Sequence, residues 1–188
     1  MAARVCVISA LGAAAGGISS FAVTYYTDGF ICLHAITNGI LAGLVSVTAG
    51  TNVLNPPLGL LVGALGGLIY RSCSHLLLRL GIDDPLEAAP IHGACGIWGL
   101  LAVGLFANDN GITGLFYGNP AQLGHQILGA LIITAWSAGF MGIVLGAMSR
   151  YKENLLLRVP IDIELAGDFV LYNGSAYPQV PTHMHTRS

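Results

Sequence analysis

The residues with the most chemistry to offer lie in one run, Asp83-Asp84-Pro85-Leu86-Glu87-Ala88-Ala89-Pro90-Ile91-His92-Gly93-Ala94-Cys95-Gly96-Ile97-Trp98-Gly99. Its beginning reads as a helix N-terminus. Asp84 is placed to cap, Pro85 to take the first helical position, and Glu87 stands three residues after the cap. Acidic groups there also suit the helix dipole, so Asp84 and Glu87 have a structural explanation. His92 does not. It comes eight residues past Asp84, about 12 Å along a helix rising 1.5 Å per residue. Gly96 and Gly99 follow four and seven positions later, on the same helical stripe. The imidazole then looks onto a strip without side chains, either a tight helix contact or the wall of a narrow channel. Neutral imidazole both donates and accepts hydrogen bonds and can pass on a proton. It can therefore receive a small polar solute that has shed its water. An ionisable residue inside an apolar span is a functional hypothesis by default; the alternative is a packing histidine with satisfied hydrogen bonds.

The other candidates are weaker. His34 and His125 fall near the ends of apolar segments, His75 near the end of another, and His183 and His185 in a polar tail. All of these read as solvated or structural. The cysteines Cys6, Cys32, Cys73 and Cys95 are widely spaced with no C-x-x-C pair, so they read as small hydrophobes rather than a metal site or disulfide framework. Neither a metal nor a cofactor is expected.

The elements that must position His92 are membrane helices. The chain is 54% hydrophobic and only 9% charged, with a mean hydropathy of +0.72; soluble domains carry about 25% charged residues. Its 26 glycines are roughly twice the usual share of about 7%, as suits helices that pack closely in lipid. The net charge of −2 gives no reason to expect nucleic acid as a partner. A bilayer-crossing helix needs about 20 apolar residues, and five segments qualify: Val5–Tyr26, Phe30–Gly50, Pro57–Leu78, Ala88–Ala107 and Leu123–Met148. The expected fold class is all-α, a polytopic membrane helix bundle. Met1-Ala2-Ala3-Arg4 ahead of an apolar run could open a signal peptide, but no polar cleavable junction follows, so the run reads as a span.

Turn chemistry separates the spans. Tyr26-Thr27-Asp28-Gly29 closes the first, Asn55-Pro56-Pro57 opens the third, and Asn108-Asp109-Asn110-Gly111 begins a longer loop that includes Gly118-Asn119-Pro120. Five crossings put the termini on opposite sides. Arg71, Arg79, Arg150, Lys152, Arg158 and Arg187 then share the side of the C-terminal tail, and Arg4 alone lies opposite. The positive-inside rule makes the tail cytosolic, leaving the sequon Asn173-Gly174-Ser175 on the cytosolic side, where it should stay unmodified. Residues 1–149 are expected to form the transmembrane domain and 150–188 the tail. Glycines four apart, Gly12 and Gly16, Gly39 and Gly43, Gly59 with Gly63 and Gly67, and Gly142 and Gly146, mark helix faces suited to close packing.

The run from Asp83 to Gly99 is similar to a signature of the tenth helix in the ammonium transporter family, to which the Rhesus-type proteins are distantly related. Val47-Thr48-Ala49-Gly50 resembles the end of that family's eighth helix. Gly114-Leu115-Phe116-Tyr117-Gly118 with Gln122-Leu123-Gly124 resembles the approach to the eleventh. Leu157-Arg158-Val159-Pro160, with Glu164 and Gly167, resembles the start of its cytosolic tail. The resemblance implies a trimer of eleven-helix subunits in the cell membrane, each with a narrow hydrophobic pore for ammonium and ammonia in which two histidines touch. His92 matches the second of those histidines. Asp84 and Glu87 match acidic positions at the cytosolic helix start, near where the tail docks. The five spans here resemble helices seven to eleven, so the resemblance also implies a fragment of a longer product or a truncated gene, without the first pore histidine. The tail departs from the pattern: Gly167-Asp168 is one residue shorter than the usual Gly-x-Asp, Tyr172-Asn173-Gly174 lacks a histidine, and no threonine occurs between Arg158 and Pro181.

Three readings follow. The chain is a transporter and not an enzyme, with ammonia passing His92 and a partner histidine supplied elsewhere. Or it is a haem-binding electron-transfer membrane protein, in which His92 could pair only with His34. Or it is a non-conducting fragment that assembles with full-length subunits.

Overall fold

A computed structural model of the chain describes residues 1–150. The readings on the tail, from Lys152 to Ser188, lie outside the described residues. Five helices follow in order: α1 (Ala2–Asp28), α2 (Leu33–Thr48), α3 (Pro56–Arg79), α4 (Cys95–Phe106), entered through a π-helical turn (Ala89–Ala94), and α5 (Pro120–Arg150). A two-stranded hairpin, β1 (Asn108–Asp109) and β2 (Ile112–Thr113), and a 3-10 turn (Leu115–Tyr117) join α4 to α5. The chain divides into two compact units, Met1–Ile133 and Thr134–Ser188, with the division inside α5.

All five expected spans are helical, with different limits. The second is 16 residues, Leu33–Thr48, shorter than the Phe30–Gly50 expected. Its C-terminal end breaks at Ala49 and Gly50, where turn hydrogen bonds take over, Gly50 N–H to Val47 C=O at 2.9 Å and Leu54 N–H to Gly50 C=O at 2.8 Å. The remaining four are long and apolar enough to cross a bilayer. Gly29 ends α1 in the left-handed conformation, φ 76°, its N–H on the Tyr25 carbonyl. Asn55 precedes α3 and two prolines occupy its first positions, where no N–H is missed. The expected loop at Asn108 is tighter than anticipated: Asn110 and Gly111, φ 51° and 77°, make the turn of a hairpin in which Asn108 faces Thr113.

Within the first unit the glycine stripes do what their spacing suggests. A Cβ on Gly16 would sit 2.7 Å from Gly43 Cα, and one on Gly63 2.5 Å from Gly12 Cα. So α1 lies against both α2 and α3 at backbone distance. The pairs Ile8 with Gly59, Gly12 with Gly63 and Gly16 with Gly67 show that α1 and α3 run parallel. Serine hydroxyls fasten the same seams, Ser20 on the Ala35 carbonyl at 2.7 Å and Ser19 on that of Ala64 at 2.8 Å, which is how polar side chains serve helix contacts in lipid. At Gly142 and Gly146 a Cβ would meet nothing within 4 Å among the described residues. The cysteines are likewise not uniformly buried. Cys95 is, with its thiol on the Gly66 carbonyl at 3.4 Å, whereas Cys6 is exposed.

The two ends of the first unit differ in charge. At one, Arg4 pairs with Asp109 and donates to the Leu54 carbonyl. At the other, Arg71 pairs with Asp28 at 3.0 Å, and Arg79 closes α3.

Candidate functional site

The helix carrying His92 starts later than its sequence suggests. Asp84 does cap, accepting the Ala88 and Ala89 N–H groups at 3.0 and 2.8 Å. Residues 85–86 form a turn instead of the first helical turn, however, and Glu87 is left-handed at φ 54°, a conformation costing a non-glycine residue about 1–2 kcal/mol. Pro90, not Pro85, sits in the first helical turn. The capping-box reading is therefore corrected: Glu87 does not reach back to a cap residue but turns into the bundle.

There its carboxylate meets donors from two other helices. Asn38 Nδ2 of α2 donates to Oε2 at 2.8 Å, and Tyr70 of α3 donates its hydroxyl to the same oxygen. Ser74 of α3 donates to Oε1. His34 Nε2 stands 3.2 Å from Oε2 and 3.1 Å from Asn38 Nδ2. The Glu87 side chain is 16% exposed and that of His34 58%, so the cluster leads from the bundle interior toward the end that holds Arg71 and Arg79. A cavity of about 40 Å³ adjoins it, lined by Ser74, Asp84, Glu87 and Pro90 among others. Burial raises the Glu87 carboxyl, but hydrogen bonds from Ser74, Tyr70 and Asn38 and the nearby His34 outweigh it and hold the group below its ordinary range.

This cluster also sets the depth of His92. Along α3, Ser74 holds Glu87, Tyr70 packs with Ile91, the Gly66 carbonyl accepts the Cys95 thiol, and the Val62 carbonyl accepts Trp98 Nε1 at 3.0 Å. Helix α4 thus runs antiparallel to α3, one turn per turn. His92 lies between the Tyr70 and Gly66 levels of a helix that spans Pro56–Arg79, about half way along its roughly 36 Å. That position does not come from a helix that starts at Asp84. α4 is entered through a non-helical stretch that is largely exposed; only the Glu87 side chain turns inward, and the chain is first buried at Pro90 and Ile91.

His92 itself is exposed, as are Gly93 and Ile97. The stripe His92, Gly96, Gly99 does not survive as one environment. The π-helical turn carries an extra residue, which rotates the positions after it by about 100°. A Cβ on Gly99 would sit 2.8 Å from the Ser46 carbonyl, while one on Gly96 would meet only Val45 at 4.0 Å. Gly99 is a helix contact, and Gly96 borders open space. His34, the one histidine the haem reading could pair with His92, has Nε2 engaged with Glu87 and Asn38. His75 takes a hydrogen bond from Arg71, and His125 is exposed. The sequence did not reveal that Asn38, Tyr70 and Ser74 converge on Glu87. The available signals were the four-residue spacings of His34 with Asn38 and of Tyr70 with Ser74, each putting polar groups on one helix face.

Apolar helices, backbone-distance glycine seams and a helix entered through a π-helical turn that carries His92 define a polytopic helical membrane protein. Comparison with known proteins makes the assignment specific. The family profile described as Ammonium Transporter Family matches residues 1–177, and the chain belongs to that family. Ammonium transporter 1 member 4 of Arabidopsis thaliana is 34% identical over 163 residues, covering 80% of this chain and 32% of the relative. The structure titled Sensor Amt Protein superposes with a TM-score of 0.81 at 29% identity, over 92% of this chain and 42% of that one. The crystal structure of Candida albicans Mep2 does so with a TM-score of 0.77 at 29% identity, over 85% and 37%. The chain therefore spans well under half the length of these relatives.

Proposed function

We propose that this chain supplies one wall of a hydrophobic pore for ammonium and ammonia, with His92 as one of two paired pore histidines. The observation that carries this reading is the position of His92: mid-depth, at a helix break, and on a face that no other part of the described chain covers. A cation stripped of water is costly at that depth, whereas ammonia is neutral and can exchange hydrogen bonds with an imidazole that both donates and accepts. The second histidine and the opposite wall come from polypeptide outside these residues. The relatives named as ammonium transporters support the substrate.

In this reading the chain is a transporter, not an enzyme, and sits in the cell membrane as part of a trimer. The end holding Arg4 and Asp109 faces outward, and the end holding Arg71 and Arg79 faces the cytosol, as the excess of basic residues there favours. Residues 1–149 form the membrane domain, and 150–188 a cytosolic tail. The test is His92→Ala in a transport-competent assembly containing this chain. Uptake should be abolished or rerouted while assembly persists. Unchanged transport and ion selectivity would refute the pore role.

A further inference from the structure

We propose that Glu87 is a positioning residue for His92: its carboxylate, pinned between α2 and α3, fixes the break that precedes α4 and so the direction in which the imidazole leaves the helix. The functional meaning of this assignment rests on the pore reading; its geometry does not.

Four observations carry it. The carboxylate is fully engaged by protein. Oε2 is approached by Asn38, Tyr70 and His34, and Oε1 accepts from Ser74. A carboxylate offers about four acceptor positions, so little capacity remains for a passing solute. Glu87 therefore holds rather than binds. Second, its backbone is the hinge of the break. It is left-handed at φ 54°, and its carbonyl accepts the Ile91 N–H at 3.1 Å. A strained residue persists only where its surroundings over-determine it, and the four side-chain partners do that. Third, the turn that follows is π-helical and contains His92. The register entering that turn decides whether His92 points out of the bundle or into the α2–α3 seam. Fourth, Tyr70 touches both ends of the lever: its hydroxyl holds Glu87, and it packs against Ile91, the neighbour of His92.

The test reads His92 directly. The full chain, with ¹⁵N-labelled histidine, is reconstituted in lipid nanodiscs, and the His92 ring signals are identified by their loss in His92→Ala. Glu87→Gln, which keeps the shape but loses the charge, should shift the His92 ring signals. Tyr70→Phe should shift them in the same direction by less. Ser20→Ala is the control for mere destabilisation. It removes the buried hydrogen bond to Ala35, should lower the melting temperature, and should leave His92 where it was. Glu87→Gln and Tyr70→Phe proteins that remain helical, melt lower and show His92 signals coincident with the unmodified chain would overturn the proposal. If Glu87→Gln does not fold, the gentler Tyr70→Phe decides alone by the same criterion. The pore reading fails separately, through unchanged transport by His92→Ala, and that result would leave a shifted His92 signal in Glu87→Gln intact.

Discussion

Gly96 and Gly99 have equal claims on paper and unequal ones in the bundle. A methyl group at Gly99 must displace the Ser46 backbone, whereas at Gly96 it reaches only the far side of van der Waals contact with Val45. Alanine also gains helix propensity over glycine, by about 0.5–1 kcal/mol. Gly96→Ala should therefore leave the melting temperature unchanged or raised, while Gly99→Ala should be net destabilising by about 1–3 kcal/mol, the usual cost of overpacking; thermal unfolding of the two proteins in the same detergent compares them. Glu87 gives a prediction in pH. Its folded-state value is lowered, so its stabilisation is present in full above the ordinary glutamate value and is lost as the pH falls through the lower folded one. Melting temperature should drop on acidification below about pH 4, and Glu87→Gln should start lower at neutral pH and drop less over that interval. An equal acid drop in both proteins would show that other carboxylates are responsible. His92 was legible at this scale because an ionisable group in an apolar run is conspicuous. The partners of Glu87 were not, since Asn38, Tyr70 and Ser74 come from two other helices and only the fold brings them together.

At the scale of elements, the helices were legible from hydropathy and the seams from glycine spacing. Where an element begins and how it is wound were not. Asp84 and Pro85 compose a credible helix start, and Pro90 composes another five residues on; the choice between them was made by Tyr70 and Ser74 pulling Glu87 inward. The π-helical turn has no sequence signature of its own. The Asn110-Gly111 turn did carry one, the strongest short hairpin signal, and it produced the β1–β2 hairpin. The seam between α1 and α3 is the most exacting of these contacts, because Gly63 and Gly12 meet backbone to backbone. No side-chain rotation can relieve a larger residue there. Gly63→Leu should part the two helices and abolish the folded fraction on size-exclusion chromatography. Gly142→Leu, on a helix face with nothing within 4 Å among the described residues, should leave that profile unchanged.

The first unit is a bundle of helices that carries an ionisable residue on its surface. In a membrane protein built around a path, a mid-depth histidine belongs on an inner surface; here it lies on an outer one, beside Gly93 and Ile97. The first unit has buried clusters around Ile8, Val47 and Val62 toward the Arg4 end and around Ala42, Tyr70 and Ile91 toward the Arg79 end. It can hold His92 in place without enclosing a path. Two consequences separate. Cells lacking their own ammonium uptake should not be rescued by this chain alone, because an uncovered helix face in a bilayer is filled by lipid. They should be rescued when a polypeptide matching the part of the relatives that this chain does not span is co-expressed, and His92→Ala in this chain should remove the rescue. Growth supported by the chain alone would mean that copies of it close the path around one another, and would sink the requirement for a complementary half. Rescue by co-expression that survives His92→Ala would instead assign the pore to the partner and leave this chain as a scaffold.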